Sequence, residues 1–73
     1  MLSTLEKGYL RQELDKHGES GVRTFSYFNF AREIKGRKVQ TRDDIEKVIG
    51  KWKQKGLNNE LMKTIAKILR PEA

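Results

Sequence analysis

Residues 41–57, TRDDIEKVIGKWKQKGL, constrain the fold more than any other stretch, because they write out both ends of one helix. Thr41 is a preferred N-cap residue, whose side-chain oxygen can accept from a free amide of the first turn. Asp43 and Asp44 follow, where the positive end of the helix dipole favours carboxylates. Ile45, Val48, Ile49 and Trp52 then recur at i, i+3, i+4 and i+7, a narrow apolar stripe. Gly56 suits the left-handed residue just past a helix end. That places Leu57 and Trp52 at the two positions whose side chains accompany a Schellman ending. A further helix must start at once, capped by Asn58 or Asn59. Leu61, Met62, Ile65, Ile68 and Leu69 form its apolar face, and Pro71 follows its end. The connection allows only a tight helical hairpin or corner.

The N-terminal half uses the same punctuation. Ser3 and Glu6 have the spacing of a capping box, opening a helix that closes at Gly18. Its apolar members Leu5, Tyr9, Leu10 and Leu14 spread over about half the helical wheel, which suits a helix at the edge of the core. Gly18-Glu19-Ser20-Gly21 reads as a loop. The next stretch, RTFSYFNF at 23–30, holds four of the six aromatic residues. As a strand its alternation slips between Tyr27 and Phe28, which demands a bulge. As a helix capped by Thr24 and stopped by Gly36, it gathers Tyr27, Phe28, Phe30, Ala31 and Ile34 within an arc of about 160°. Ser26, Asn29, Arg32 and Glu33 lie opposite, and Phe25 alone among the aromatics falls on that polar side. The expected fold is therefore a single all-α domain, a compact bundle of about four short helices. A small edge strand or hairpin around residues 22–40 is the alternative. The expected core joins Tyr27, Phe28, Phe30, Ile34, Ile45, Val48, Ile49, Trp52, Leu61, Ile65 and Ile68.

A chain of 73 residues removes only about 60% of its unfolded surface from water, so it profits from a staple. There is no cysteine and one histidine, His17, which removes disulfides and a Cys/His zinc site. A homodimer is the staple that remains. No apolar run approaches the roughly 18 residues of a membrane span. The N-terminus lacks the basic-then-apolar pattern of a secretory leader, so the expectation is a cytoplasmic protein with no membrane partner. Nothing points to an enzyme, a cofactor or a metal. His17 abuts a helix-ending glycine with no catalytic partner, and Asp43 and Asp44 are accounted for by their first-turn position. No glycine-rich phosphate loop is present.

The charge pattern carries the functional expectation. The formal charge is +6 and the isoelectric point about 9.8, which suits an anionic partner. Residues 47–70 hold seven cations (Lys47, Lys51, Lys53, Lys55, Lys63, Lys67 and Arg70) and one acid, Glu60, and so match the net charge of the whole chain. Lys47, Lys51 and Lys55 form one row away from the apolar stripe; Lys63, Lys67 and Arg70 form another on the last helix. Such rows track phosphates, with DNA expected ahead of RNA, unless they are simply a solvated face. Lysine outnumbers arginine in them, which implies weak sequence selectivity. Arg32, Lys35, Arg37 and Lys38 flank the aromatic stretch, and Arg37 and Lys38 are taken as an extension of the site. The competing reading is a protein-interaction module that binds an acidic partner or itself. Phe25, framed by Arg23 and Arg32, would anchor it, since aromatics and arginine dominate interface energetics.

Two local resemblances bear on this choice. Residues 44–57, DIEKVIGKWKQKGL, resemble the DnaD-family replication-initiation segment Tyr-Ile-x-x-Ile-Leu-x-x-Trp-x-x-x-Gly-Ile. Ile45, Val48, Ile49, Trp52, Gly56 and Leu57 match, and Asp44 stands where that family has tyrosine. The resemblance spans about a fifth of the chain. It implies a helical fold that binds DNA and replication partners, as in Gram-positive bacteria and their phages. RTFSYFNF is also similar to the aromatic octamer of RNA-recognition domains, with Arg23, Phe25, Tyr27 and Phe30 at the matching positions. Thr24 and Ser26 replace its small residues, and the other segments read as helices, so the helical core reading is kept. A standard helix-turn-helix register with Gly56 at the turn puts Lys51, Trp52 and Lys55 where apolar, small and apolar residues belong, and does not fit.

Overall fold

The computed structural model describes residues 2–19 and 21–70. They form α1 (Thr4–Lys16), α2 (Val22–Lys35), α3 (Arg42–Gln54) and α4 (Asn59–Leu69). No strand occurs among the described residues, so the all-α expectation holds. The edge-strand alternative falls: residues 22–35 are helical and 36–41 only turn back toward α3. No described helix is long and apolar enough to cross a membrane. Ser20 and Pro71, named above as loop and helix stop, lie outside the described residues.

The local signals act as their chemistry requires. The Ser3 hydroxyl accepts from the Glu6 amide at 3.1 Å, while the Glu6 carboxylate accepts from the Ser3 amide at 3.0 Å. Thr41 and Asp44 form the same reciprocal box on α3. Both helices end in full Schellman motifs. Glu19 N–H donates to the Leu14 carbonyl at 2.9 Å and Leu57 N–H to that of Trp52 at 3.3 Å. Gly18 and Gly56 take the left-handed turn, at φ +71° and +99°. α2 departs from expectation. It starts at Val22, two residues before Thr24, with Gly21 at φ +73° as an N-cap that offers no side-chain bond. The Thr24 amide already donates to the Gly21 carbonyl at 3.1 Å, so Thr24 is inside the first turn and not its cap.

α4 packs against all three other helices. Its Leu61, Met62 and Ile65 meet Tyr27, Phe30 and Ile34 of α2 as the most deeply buried large side chains. The Tyr27 hydroxyl accepts from the Asn58 amide at 2.7 Å and so pins the α3–α4 corner to α2. Burial around that hydroxyl pushes the Tyr27 phenol above its ordinary pKa. Three core expectations need correction. Ile68 is 36% exposed, because it stands about 90° around α4 from the centre of the buried face; Met62, Ala66 and Leu69 occupy that face instead. Phe28 and Trp52 are half-buried at the rim. Leu10 and Leu14 of α1, with Leu2 before it, are core residues, while Leu5 and Tyr9 face outward.

Candidate functional site

The two basic rows of the C-terminal hairpin land in different surroundings. On α3, Lys47, Lys51 and Lys55 lie within about 80° of one another, centred about 170° from the face that looks toward α4. Of this outward row only the Lys51 ammonium reaches α2. Lys51 Nζ is 2.9 Å from both oxygens of Glu33, and the indole N–H of Trp52 donates to Glu33 Oε1 at 3.0 Å. The ammonium groups of Lys51 and Lys55 lie 5.5 and 4.7 Å from the Trp52 ring centroid, within reach of its π face. Burial works against ionisation of Glu33, but the Lys51 ammonium and the Trp52 N–H outweigh it and hold the carboxyl below its ordinary value. Lys51 thus helps tie α2 to α3, Lys55 rests on the Trp52 ring of its own helix, and Lys47 stays exposed.

The α4 row lines a groove. Lys63, Lys67 and Arg70 stand on one side of a cleft of about 590 Å³ between α3 and α4, with Arg42 and Glu46 of α3 across from them. Ile45, Ile49 and Ala66 form its floor. Four cations therefore surround one carboxylate. Lys63 and Lys67 are exposed, and neither makes an ion pair among the described residues.

Arg70 has a second attachment. Its Nε donates to the Ile34 carbonyl at 3.1 Å, and its Nη2 to those of Lys35 and Gly36 at 3.3 and 3.0 Å. Ile34 and Lys35 stand in the last turn of α2, whose carbonyls have no partner within their own helix and whose dipole attracts a cation. Gly36 is its C-cap, with a carbonyl that also accepts from the Val39 amide at 3.1 Å. The side chain expected among the phosphate contacts is thus first a cap on α2. It also fixes where the α2–α3 connection starts. Arg37 and Lys38, both exposed, follow the Gly36 carbonyl that Arg70 holds, and neither lines the groove.

The chain matches no family model, no curated protein and no solved structure. Its chemistry rests on the side chains themselves. Of the eight cations expected to contact phosphates, Lys63, Lys67 and Arg70 are brought together in the groove; Arg37, Lys38, Lys47, Lys51 and Lys55 do not line it. Arg42 and Glu46 were missed. Their signal was available, since Arg42, Ile45, Glu46 and Ile49 follow i, i+3, i+4 and i+7 and share one face of α3.

The residues of the interface reading separate as well. Phe25 is 67% exposed on the outer face of α2, and Val22, one turn before it, is 89% exposed. Arg32 shares this face, donating to Asn29 Oδ1 at 2.7 Å. Arg23 sits about 160° around the helix from Phe25, where its charge acts on Tyr27. It does not frame Phe25.

Proposed function

We propose that this is a small nucleic-acid-binding accessory or regulatory protein of the phage or mobile-element type, cytoplasmic and without catalytic activity, that grips phosphates through the α3–α4 groove. One observation carries the reading: four cations and one acid around a shallow cleft, with Lys63 and Lys67 left unpaired among the described residues. Cations so placed displace the counterions of a phosphate backbone, which gives affinity with little sequence selectivity. The resemblance of residues 44–57 to the DnaD-family segment favours DNA over RNA. Its support is to helix architecture, because Ile45, Val48, Ile49 and Leu57 are buried and Gly56 ends the helix. Fluorescence anisotropy of labelled oligonucleotides across a salt series tests the reading. Measurable binding at low salt that weakens steeply as salt rises is expected; negligible affinity at low salt, or a flat salt response, contradicts it.

A second reading draws on the outer face of α2. Val22 and Phe25 place two large apolar side chains in water one turn apart, with Arg32 two turns beyond Phe25. This face suits an acidic protein partner or a second copy of the chain. Sedimentation of the protein and its Phe25→Ala variant distinguishes the two: a dimer lost on substitution supports self-association, and a monomer in both cases removes it.

A further inference from the structure

We infer that the α3–α4 groove accepts a nucleotide unit of single-stranded nucleic acid in preference to a duplex, an inference that rests on the nucleic-acid reading above. The groove is concave but open, and its volume of about 590 Å³ is in the size range of small-molecule sites, roughly 300–1,000 Å³. Its cations stand on the rims and its floor is apolar: Ile45, Ile49 and Ala66. A phosphate between Lys63, Lys67 and Arg42 therefore brings the attached sugar or base over that floor. A single strand can do this, because its unstacked bases are free to splay away from the backbone. In a duplex the bases are paired and stacked inside the rod, so only phosphates reach the rims and the floor stays empty.

The other basic surface of the hairpin, the α3 lysine row, is less free to hold the phosphates of a duplex. On the outward row of α3, Lys51 is drawn to Glu33 and Lys55 lies over Trp52. The same contacts close the rival site for an unpaired base. Trp52 is the sole tryptophan, and it would be the obvious stacking platform beside cations. Its N–H is bonded to Glu33 and its ring is in contact with lysine ammonium groups, so a base would first have to displace them.

The test uses the full chain at low salt with three probes: a labelled 15-mer of thymidine, a mixed-sequence duplex of equal length, and thymidine monophosphate as competitor. The single strand is expected to bind about tenfold more tightly than the duplex, the size of one good contact. The monophosphate is expected to compete poorly, because one phosphate lacks the neighbours that reach Arg37, Lys38 and Arg70. Glu46→Gln, which removes the only acid of the lining from an exposed position, is expected to tighten single-strand binding about threefold. Ala66→Leu adds bulk to the floor and is expected to bring single-strand affinity down to the duplex value, with its melting curve recorded to check folding. A duplex bound as tightly as the single strand by the unaltered protein overturns the inference and leaves the nucleic-acid reading standing. A monophosphate that competes as well as the strand overturns the strand part of it. Binding to none of the three overturns the reading on which it rests.

Discussion

Lys51 and Lys67 look alike in the sequence, each an exposed lysine in a row of cations on a charged helix, yet their surroundings differ. Lys51 has both oxygens of Glu33 at 2.9 Å and an indole beside it, so its charge is offset within the fold. Lys67 faces a groove with three other cations and one acid, and makes no ion pair among the described residues. The outer face of α3 joins two helices. The groove concentrates positive potential. Cations counted along a sequence do not distinguish these cases, because the distinction depends on which helix packs beside each row.

Substitutions separate the two surroundings by their effects on stability and binding. The largest effect on stability is expected at Arg70, which belongs to both categories. Arg70→Ala leaves the Ile34, Lys35 and Gly36 carbonyls without their charged donor and should cost about 2 kcal/mol by chemical denaturation. A loss under about 0.5 kcal/mol would mean that water serves those carbonyls equally well. Glu33→Gln is expected to cost about 1 kcal/mol, discounted because the pair is part-exposed, and to shift Trp52 emission without weakening nucleic-acid binding. Weaker binding in that variant would place the α3 face inside the interface. Smaller again is Phe25→Ala, expected to change stability by less than about 0.5 kcal/mol because the ring is already in water. A larger loss would assign Phe25 to packing.

The acid side of the stability profile offers a check that needs no substitution. Glu6, held by the Ser3 amide and then the Lys35 ammonium, has a depressed pKa. So has Glu33, where Lys51 and Trp52 overcome burial, and Asp44, which accepts from the Gln40 and Thr41 amides and the Thr41 hydroxyl. A carboxyl with a folded pKa below its unfolded value contributes stability in full above the unfolded value. That contribution is lost as pH falls through the folded one. Melting temperature should therefore hold steady above the ordinary carboxyl values of 4.5 and 3.8 and decline below them. In Glu33→Gln the decline should be shallower; an unchanged profile would mean that the α2–α3 tie has no effect on stability.

What the sequence revealed divides by range. The Ser3–Glu6 and Thr41–Asp44 boxes and the Gly18 and Gly56 endings were legible, because cap and turn chemistry is decided within a few residues. The exposure of Phe25 was legible from the wheel of α2. The start of α2 was not: Thr24 has cap chemistry, but the chain turns earlier, at Gly21. Leu10 and Leu14 read as an edge because apolar residues scatter around α1, and only packing against α4 showed which of them face inward. Arg70 joins groups 34 to 36 residues apart, and no local pattern announces such a contact. The groove was half legible. Its α4 wall was visible as a basic row and its α3 wall as the shared face of Arg42, Ile45, Glu46 and Ile49, but that the two walls face each other appears only when the helices are set side by side.

The proposed function requires that the groove, and not the outer face of α3, meets nucleic acid. The most direct test measures single-strand affinity against salt for two double variants, Lys63→Gln with Lys67→Gln and Lys51→Gln with Lys55→Gln. Each phosphate contact on a single strand contributes about 0.7 to the slope of log affinity against log salt. The groove pair should therefore lower the slope by about 1.4 and weaken binding, while the α3 pair leaves the slope nearly unchanged. A slope that falls for the α3 pair and holds for the groove pair would contradict the account.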